Sequence, residues 1–112
     1  MNAELEQAIA AARAKVRLRF PWWLRPFLVK GVVAITLGRR IYVAADVVEE
    51  RAIRFIRHEL AHVRQINRLG LLRFYWRYLR EYITNRRRGM SPSVAYRNIS
   101  FEIEAVAAEE PV

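Results

Sequence analysis

The sequence predicts a mainly helical α+β fold in which a small β-hairpin precedes the longest helix. Two stretches, residues 47–67 and 71–87, repeat apolar side chains at the spacing of an amphipathic helix. Between residues 32 and 44, two runs rich in β-branched side chains flank the pair Gly38-Arg39, which is typical of a hairpin turn. With 112 residues and 54% hydrophobic content, the chain is expected to form one compact domain with a single modest core.

The first thirty residues are expected to form an N-terminal helix and a segment rich in tryptophan and proline. Residues 4–17 contain many alanines, which favours a marginal helix with little apolar surface to bury. Pro21 and Pro26 prevent a regular helix in the segment that follows, and its charged residues rule out a membrane span there. We therefore separate residues 1–30 from residues 31–112, which contain the other predicted elements.

The first long helix is expected to run from about residue 47 to 67 and to stop near Gly70. Asp46, with a glutamate three residues later, is typical of a helix start. On a helical wheel the arginines lie opposite a broad apolar arc, and His58 and His62 fall at the border between the two. The arc contains Ala52, Phe55, Ile56, Leu60, Val63 and Ile66.

The second long helix, residues 71–87, carries an aromatic stripe that we interpret as core or as a contact between subunits. The chain breaks at residues 89–92, where Ser91 or Ser93 is expected to cap a short turn. Residues 101–110 are expected to form the last helix. The stripe consists of Leu72, Tyr75, Trp76, Leu79, Tyr82 and Ile83.

Composition favours some partners and excludes some kinds of site. Twenty Lys and Arg against eleven Asp and Glu give a net charge of +9, which would attract nucleic acid, an anionic membrane or acidic polypeptides. The sequence has no cysteine, so a metal would have to bind imidazole and carboxylate groups. The acidic start lacks the layout of a secretory signal, and we expect a cytoplasmic protein, with a position peripheral to a membrane as the alternative. Oligomerisation through the N-terminal aromatic segment or the aromatic helix is a further expectation.

The pattern with the most specific chemistry is the pentapeptide His-Glu-Leu-Ala-His at positions 58–62, which contains both histidines of the chain. Residues four apart lie above one another on a helix, so both imidazoles can reach one metal ion, with Glu59 beside them. Catalytic zinc usually has three protein ligands and a water. Because no other histidine or cysteine exists, the third ligand must be a carboxylate, and Glu102 and Glu104 lie on a later helix that can pack across.

Around this pentapeptide the chain resembles the gluzincin metallopeptidases, in which a downstream helix supplies a glutamate ligand, and most closely the very short minigluzincins. The family's third ligand often stands in Glu-x-x-Ala, which residues 102–105 match, so Glu102 is the preferred ligand. Glu104 is the alternative, and it points about 200° away from Glu102 around a helix. Val106 stands where the family commonly has aspartate, and Glu109, on the same face as Glu102, is expected to supply a replacement contact.

The resemblance implies that residues 31–112 form a minimal zinc metallopeptidase domain that hydrolyses peptide bonds with one zinc ion per chain. His58, His62 and Glu102 would bind the zinc. Glu59 would take the proton of the attacking water and pass it to the leaving amine. The hairpin would offer a strand edge to an extended peptide.

Thermolysin-like enzymes also use a separate histidine to stabilise the oxyanion, and this chain has none to spare. Tyr96 and Arg97, just ahead of the last helix, are the candidates for that role.

Two other functions are hypotheses beside the peptidase. One is an inactive zinc-binding relative that binds peptides or other proteins. The other is a basic module that binds nucleic acid or a membrane surface, which the net charge and Trp22, Trp23 and Phe27 favour.

Overall fold

The fold is mainly helical with one small sheet, which confirms the predicted α+β class. The computed structural model describes residues 3–24, 26, 33–44 and 49–110. None of the helices in this described part is long and apolar enough to cross a membrane. In chain order the elements are α1 (Ala3–Ala11), β1 (Lys15–Arg17), β2 (Ala34–Leu37), β3 (Arg40–Val43), α2 (Glu49–Leu69), α3 (Leu71–Arg87), α4 (Pro92–Arg97) and α5 (Ser100–Ala107).

The sheet contains the predicted hairpin and one additional strand, in the order β1-β3-β2. Strands β2 and β3 are antiparallel, with Leu37 opposite Arg40. Gly38, in the turn between them, has a φ of 63°, a left-handed value that glycine adopts without a steric penalty. Among the described residues, β2 is therefore an edge strand next to the central strand β3.

The N-terminal helix is shorter than the sequence predicts. We expected it to reach Arg17, but α1 ends at Ala11 and residues 15–17 form β1, which runs parallel to β3. Arg13 takes a φ of 57°, and this left-handed conformation ends the helix and redirects the chain. Local composition favours helix, but pairing with β3 satisfies the backbone polar groups of residues 15–17 and determines the outcome.

Helix α2 is the central element, with the sheet on one side and the later helices on the other. Four residues of its apolar arc are buried and the other two, Ala52 and Phe55, are half-buried. Its predicted cap at Asp46 lies outside the described residues. Toward the sheet and α1 the core cluster contains Leu5, Ala12, Ile41, Val43, Ile56, Leu60 and Val63. Toward α3 and α5 a second cluster contains Ile66, Phe74, Ile99 and Phe101. This position places the histidines of α2 between the sheet and α5.

Most of the aromatic stripe of α3 is not core, contrary to the first of our two interpretations. Leu72, Trp76, Leu79 and Ile83 are exposed, whereas this helix buries Phe74. Both faces of α3 are apolar at helical spacing, so the periodicity alone does not distinguish the face that packs inward. Of the six stripe residues, Tyr82 alone is half-buried against the core cluster of α3 and α5.

Side-chain hydrogen bonds hold the first turns of α4 and α5. Ser91 caps α4 as predicted, its hydroxyl accepting a hydrogen bond from a backbone N–H. The carboxylate of Glu81 accepts hydrogen bonds from the backbone N–H and the hydroxyl of Ser100, the first residue of α5. The last helix ends at Ala107, earlier than expected. Glu102 consequently lies in the first turn of a helix whose start is fixed, facing α2.

Candidate metal centre

Two residues of α2 and one residue of α5 form a group that could hold a metal ion. The Nε2 atoms of His58 and His62 lie 2.8 and 3.1 Å from Oε1 of Glu102. All three ligand atoms lie within 4.8 Å of one another. Little of these side chains reaches solvent, with 12% of His58, 7% of His62 and 4% of Glu102 exposed. The structure thus brings together the three residues that the sequence suggested as metal ligands.

The alternative ligand, Glu104, does not belong to this group. Its side chain is 55% exposed and lies 4.0 Å from the guanidinium of Arg68. Its other contact is a hydrogen bond of 3.2 Å from the amide of Gln65. Two positions along a helix correspond to a rotation of about 200°, so Glu102 and Glu104 face different ways.

Each imidazole of the group is held by its second ring nitrogen. Nδ1 of His58 lies 2.9 Å from Oε2 of Glu109, the contact expected to replace the aspartate of the resembled family. Nδ1 of His62 lies 2.9 Å from Oε1 of Gln65. Gln65 is fully buried and donates its amide N–H to the backbone carbonyl of Phe101, which turns its oxygen toward His62. These acceptors favour protonation of both Nδ1 atoms and leave both Nε2 atoms to act as ligands.

The second carboxylate oxygen of Glu102 is also held. The hydroxyl of Tyr78, on α3, donates a hydrogen bond to Oε2 of Glu102. Burial, together with the negative charge of Glu102, raises the pKa of Tyr78 well above its usual range. Tyr78 therefore stays protonated as a donor, and Oε1 of Glu102 remains the atom that faces both imidazoles.

The charges within the group favour a cation at its centre. Burial alone would lower the pKa of His58, but hydrogen bonds to Glu102 and Glu109 outweigh burial and raise it to about 9. The pKa of His62 is also raised, because Glu102 outweighs the effect of burial. Burial would raise the pKa of Glu102, yet the hydrogen bonds from both histidines hold it well below its usual range. The negative field that retains these protons would equally attract a divalent ion.

Glu59 lies beside the group and contacts the edge strand. Its Oε2 accepts a hydrogen bond from the hydroxyl of Thr36 in β2. Burial raises the pKa of the Glu59 carboxyl, against the lowering effects of Thr36 and the two histidines. A carboxylate with a raised pKa is a stronger proton acceptor, which suits a general base working near neutral pH.

A cavity of about 520 Å³ opens over Glu59 and two of the candidate ligands, His62 and Glu102. One of its walls is β2, all four residues of which contribute to the lining. The opposite wall is aromatic and comes mainly from α3. The lining consists of Ala34, Ile35, Thr36, Leu37, Glu59, His62, Phe74, Tyr75, Tyr78, Tyr96 and Glu102.

The structure places the two predicted oxyanion donors differently. Tyr96 lines the cavity, and burial together with the charge of Glu102 raises its pKa well above its usual range, so its hydroxyl stays protonated. Arg97 is exposed and is not one of the residues that line the cavity. Only Tyr96 of this pair lies next to the candidate ligands.

No protein-family model matches this chain, and neither the curated proteins nor the solved structures include one with significant similarity to it. The class of protein therefore has to be inferred from the site itself.

Proposed function

We propose that this chain is a zinc-dependent peptidase in which His58, His62 and Glu102 bind zinc and Glu59 is the general base. The observation that carries the proposal is the convergence of these four side chains beside a cavity that an edge strand borders, with Glu59, His62 and Glu102 in the cavity lining. A group that only stabilised the fold would need neither the cavity nor the acid beside it.

The donor set favours zinc over magnesium and calcium. Two imidazole nitrogens and one carboxylate oxygen are a set typical of catalytic zinc, whereas magnesium and calcium prefer oxygen ligands throughout. The contacts from Glu109, Gln65 and Tyr78 hold each ligand by an atom that does not face the metal position. When bound, zinc supplies a Lewis acid that polarises the scissile carbonyl and acidifies the attacking water.

The proposed work of Glu59 is to move one proton. Thr36 occupies Oε2, which leaves Oε1 of Glu59 to take a proton from water. The same carboxyl then donates that proton to the nitrogen of the leaving amine. The protonated hydroxyl of Tyr96 is the candidate donor to the negative oxygen that develops on the substrate.

The substrate we propose is an extended peptide that pairs with β2. Because β2 pairs only with β3 among the described residues, its other edge offers unpaired backbone groups to a peptide main chain. The cavity wall made by Phe74, Tyr75 and Tyr78 suits an apolar side chain next to the bond that is cut. None of the described residues that line this cavity is an arginine, so this lining does not favour peptides with acidic side chains.

Metal analysis combined with peptide cleavage tests the proposal. The parent protein, Glu59→Gln and the control Glu50→Gln would be purified, assayed for zinc and incubated with a library of quenched fluorescent peptides. Glu50 is an exposed glutamate at the start of the same helix. We expect about one zinc per chain in all three proteins. Cleavage should fall by about 100-fold or more in Glu59→Gln alone.

Three other results would argue against all or part of this proposal. Zinc in the parent without cleavage of any peptide would favour the inactive zinc-binding relative. Equal cleavage by the parent and Glu59→Gln would remove the proposed general base. A parent protein that binds no zinc would refute the proposal.

A further inference from the structure

Helix α3 presents an apolar stripe to solvent on the side away from the core. The stripe consists of four exposed apolar residues that follow one another at intervals of four, three and four positions. They therefore form one continuous face of the helix. The opposite face of α3 is already buried against α2 and α5. Folding of the described residues therefore does not account for this outer stripe. Its members are Leu72 (85% exposed), Trp76 (65%), Leu79 (50%) and Ile83 (42%).

Arginines border the stripe and have no carboxylate partner within the described part of the chain. Arg73 and Arg80 lie about 80 to 100° around the helix from Leu72, and neither forms an ion pair with a described acidic residue. The acidic residue of α3, Glu81, is engaged by Ser100. The surface is thus apolar along its centre and cationic along one side.

The size and charge of this surface argue against a second copy of the chain as its occupant. The stripe exposes on the order of 400 Å² of apolar area, whereas a stable dimer buries about 800 Å² on each partner. Pairing two copies through α3 would also bring Arg73 and Arg80 toward the same arginines of the partner, and these like charges would repel. The carboxylate of Glu81 already accepts two hydrogen bonds from Ser100 and does not pair with these arginines.

We propose that α3 docks on an anionic lipid surface. Leu72, Trp76 and Leu79 would enter the boundary between headgroups and acyl chains, and Arg73 and Arg80 would contact the headgroup phosphates and carboxylates. A helix with arginines along its polar border and leucine and tryptophan on its apolar face has the composition of an interfacial helix. The net charge of +9 adds attraction to the whole molecule.

Docking in this way would fix the position of the cavity relative to the lipid surface. Tyr75, which lines the cavity, lies next to the stripe on α3 and is itself 40% exposed. The cavity would therefore open beside the lipid surface. This inference requires no metal and does not depend on the proposed peptidase activity.

Vesicle binding tests the inference directly. The protein would be sedimented with vesicles of phosphatidylcholine containing phosphatidylserine, and with vesicles of phosphatidylcholine alone. Leu72→Gln/Leu79→Gln would be compared with Ile103→Gln/Val106→Gln, which alters two residues of α5 that are 54% and 56% exposed. We expect salt-sensitive binding to the anionic vesicles only, weakened about 10-fold or more by the α3 pair and about 2-fold or less by the α5 pair.

A fluorescence reporter supplies a second measurement. The chain has three tryptophans, and the variant Trp22→Phe/Trp23→Phe retains only Trp76. The emission of Trp76 should shift to the blue when anionic vesicles are added. The inference is overturned if the parent does not bind these vesicles, if both double variants bind equally well, or if the emission of Trp76 is unchanged. It is also overturned if the α3 pair abolishes a dimer of the parent seen by light scattering.

Discussion

Replacement of Gln65 by leucine should weaken both the fold and the metal site. Gln65 is fully buried and joins Nδ1 of His62, at 2.9 Å, to the backbone carbonyl of Phe101, at 3.1 Å. Leucine has a similar volume but can neither accept nor donate a hydrogen bond. Each buried polar group left without a partner costs about 1–3 kcal/mol. The third contact of Gln65, with Glu104, is too exposed to add to this cost.

The net loss should be about 2–4 kcal/mol in the free energy of unfolding, since the leucine side chain recovers part of the cost through apolar burial. That is a large part of the 5–15 kcal/mol typical of a domain. Urea unfolding measures it, and a competing chromophoric chelator measures zinc affinity, which should fall about 10-fold to 100-fold because His62 is no longer oriented.

A second variant separates the two roles of this side chain. Gln65→Glu keeps an acceptor for His62 but places a carboxylate oxygen next to the carbonyl of Phe101. It should lose stability while its zinc affinity stays within about 3-fold of the parent. Unchanged stability and zinc affinity in Gln65→Leu would refute the reasoning.

Three further predictions concern the candidate ligand His58 and two residues that contact the site, Glu109 and Thr36. In metal-free protein, the raised pKa of His58, about 9 against an ordinary 6.5, gives a stabilisation that is complete below pH 6.5 and is lost as the pH rises through 9. Urea midpoints should therefore fall between pH 6.5 and 9.5, and this fall should be smaller in His58→Ala, in which only the raised pKa of His62 remains. Glu109→Ala should weaken zinc binding about 10-fold, because His58 loses its Nδ1 acceptor, whereas the control Glu110→Ala, whose carboxylate is exposed, should not; equal effects would contradict this. Thr36→Val should raise the pKa of Glu59 further by removing a hydrogen bond to its carboxylate, so the acidic limb of the pH profile of kcat/KM should move to higher pH. An unmoved limb would argue that this hydrogen bond does not tune Glu59.

The helix-borne part of the site could be predicted because it depends on local periodicity. His58, Glu59 and His62 lie within one turn and a half of a single helix, so their relative positions follow from helical geometry once the helix is recognised. Such inferences need no knowledge of the tertiary structure beyond the helix itself. Glu109 was expected from its helical spacing to Glu102, but it lies two residues beyond the end of α5, so its contact with His58 does not follow from helical geometry alone.

Contacts between distant elements were harder to foresee. Thr36 and Tyr78 reach the site through the packing of β2 and α3 against α2, and no local pattern marks either residue. Gln65 is different, because it follows His62 by three positions and shares its helix face, so the signal was present in the sequence. The strand β1 was missed because its partner β3 lies more than twenty residues away, and the inward face of α3 was missed because both faces are apolar.

Zinc titration of metal-free protein tests the central claim most directly, because it asks whether His58, His62 and Glu102 act as one metal site. The parent, Glu102→Ala and Glu104→Ala would be titrated in the presence of a competing chromophoric chelator. We predict one tight site per chain in the parent and in Glu104→Ala, with affinity about 10-fold or more weaker in Glu102→Ala. Tight binding that survives the loss of Glu102, or an equal loss in the two variants, would contradict the assignment.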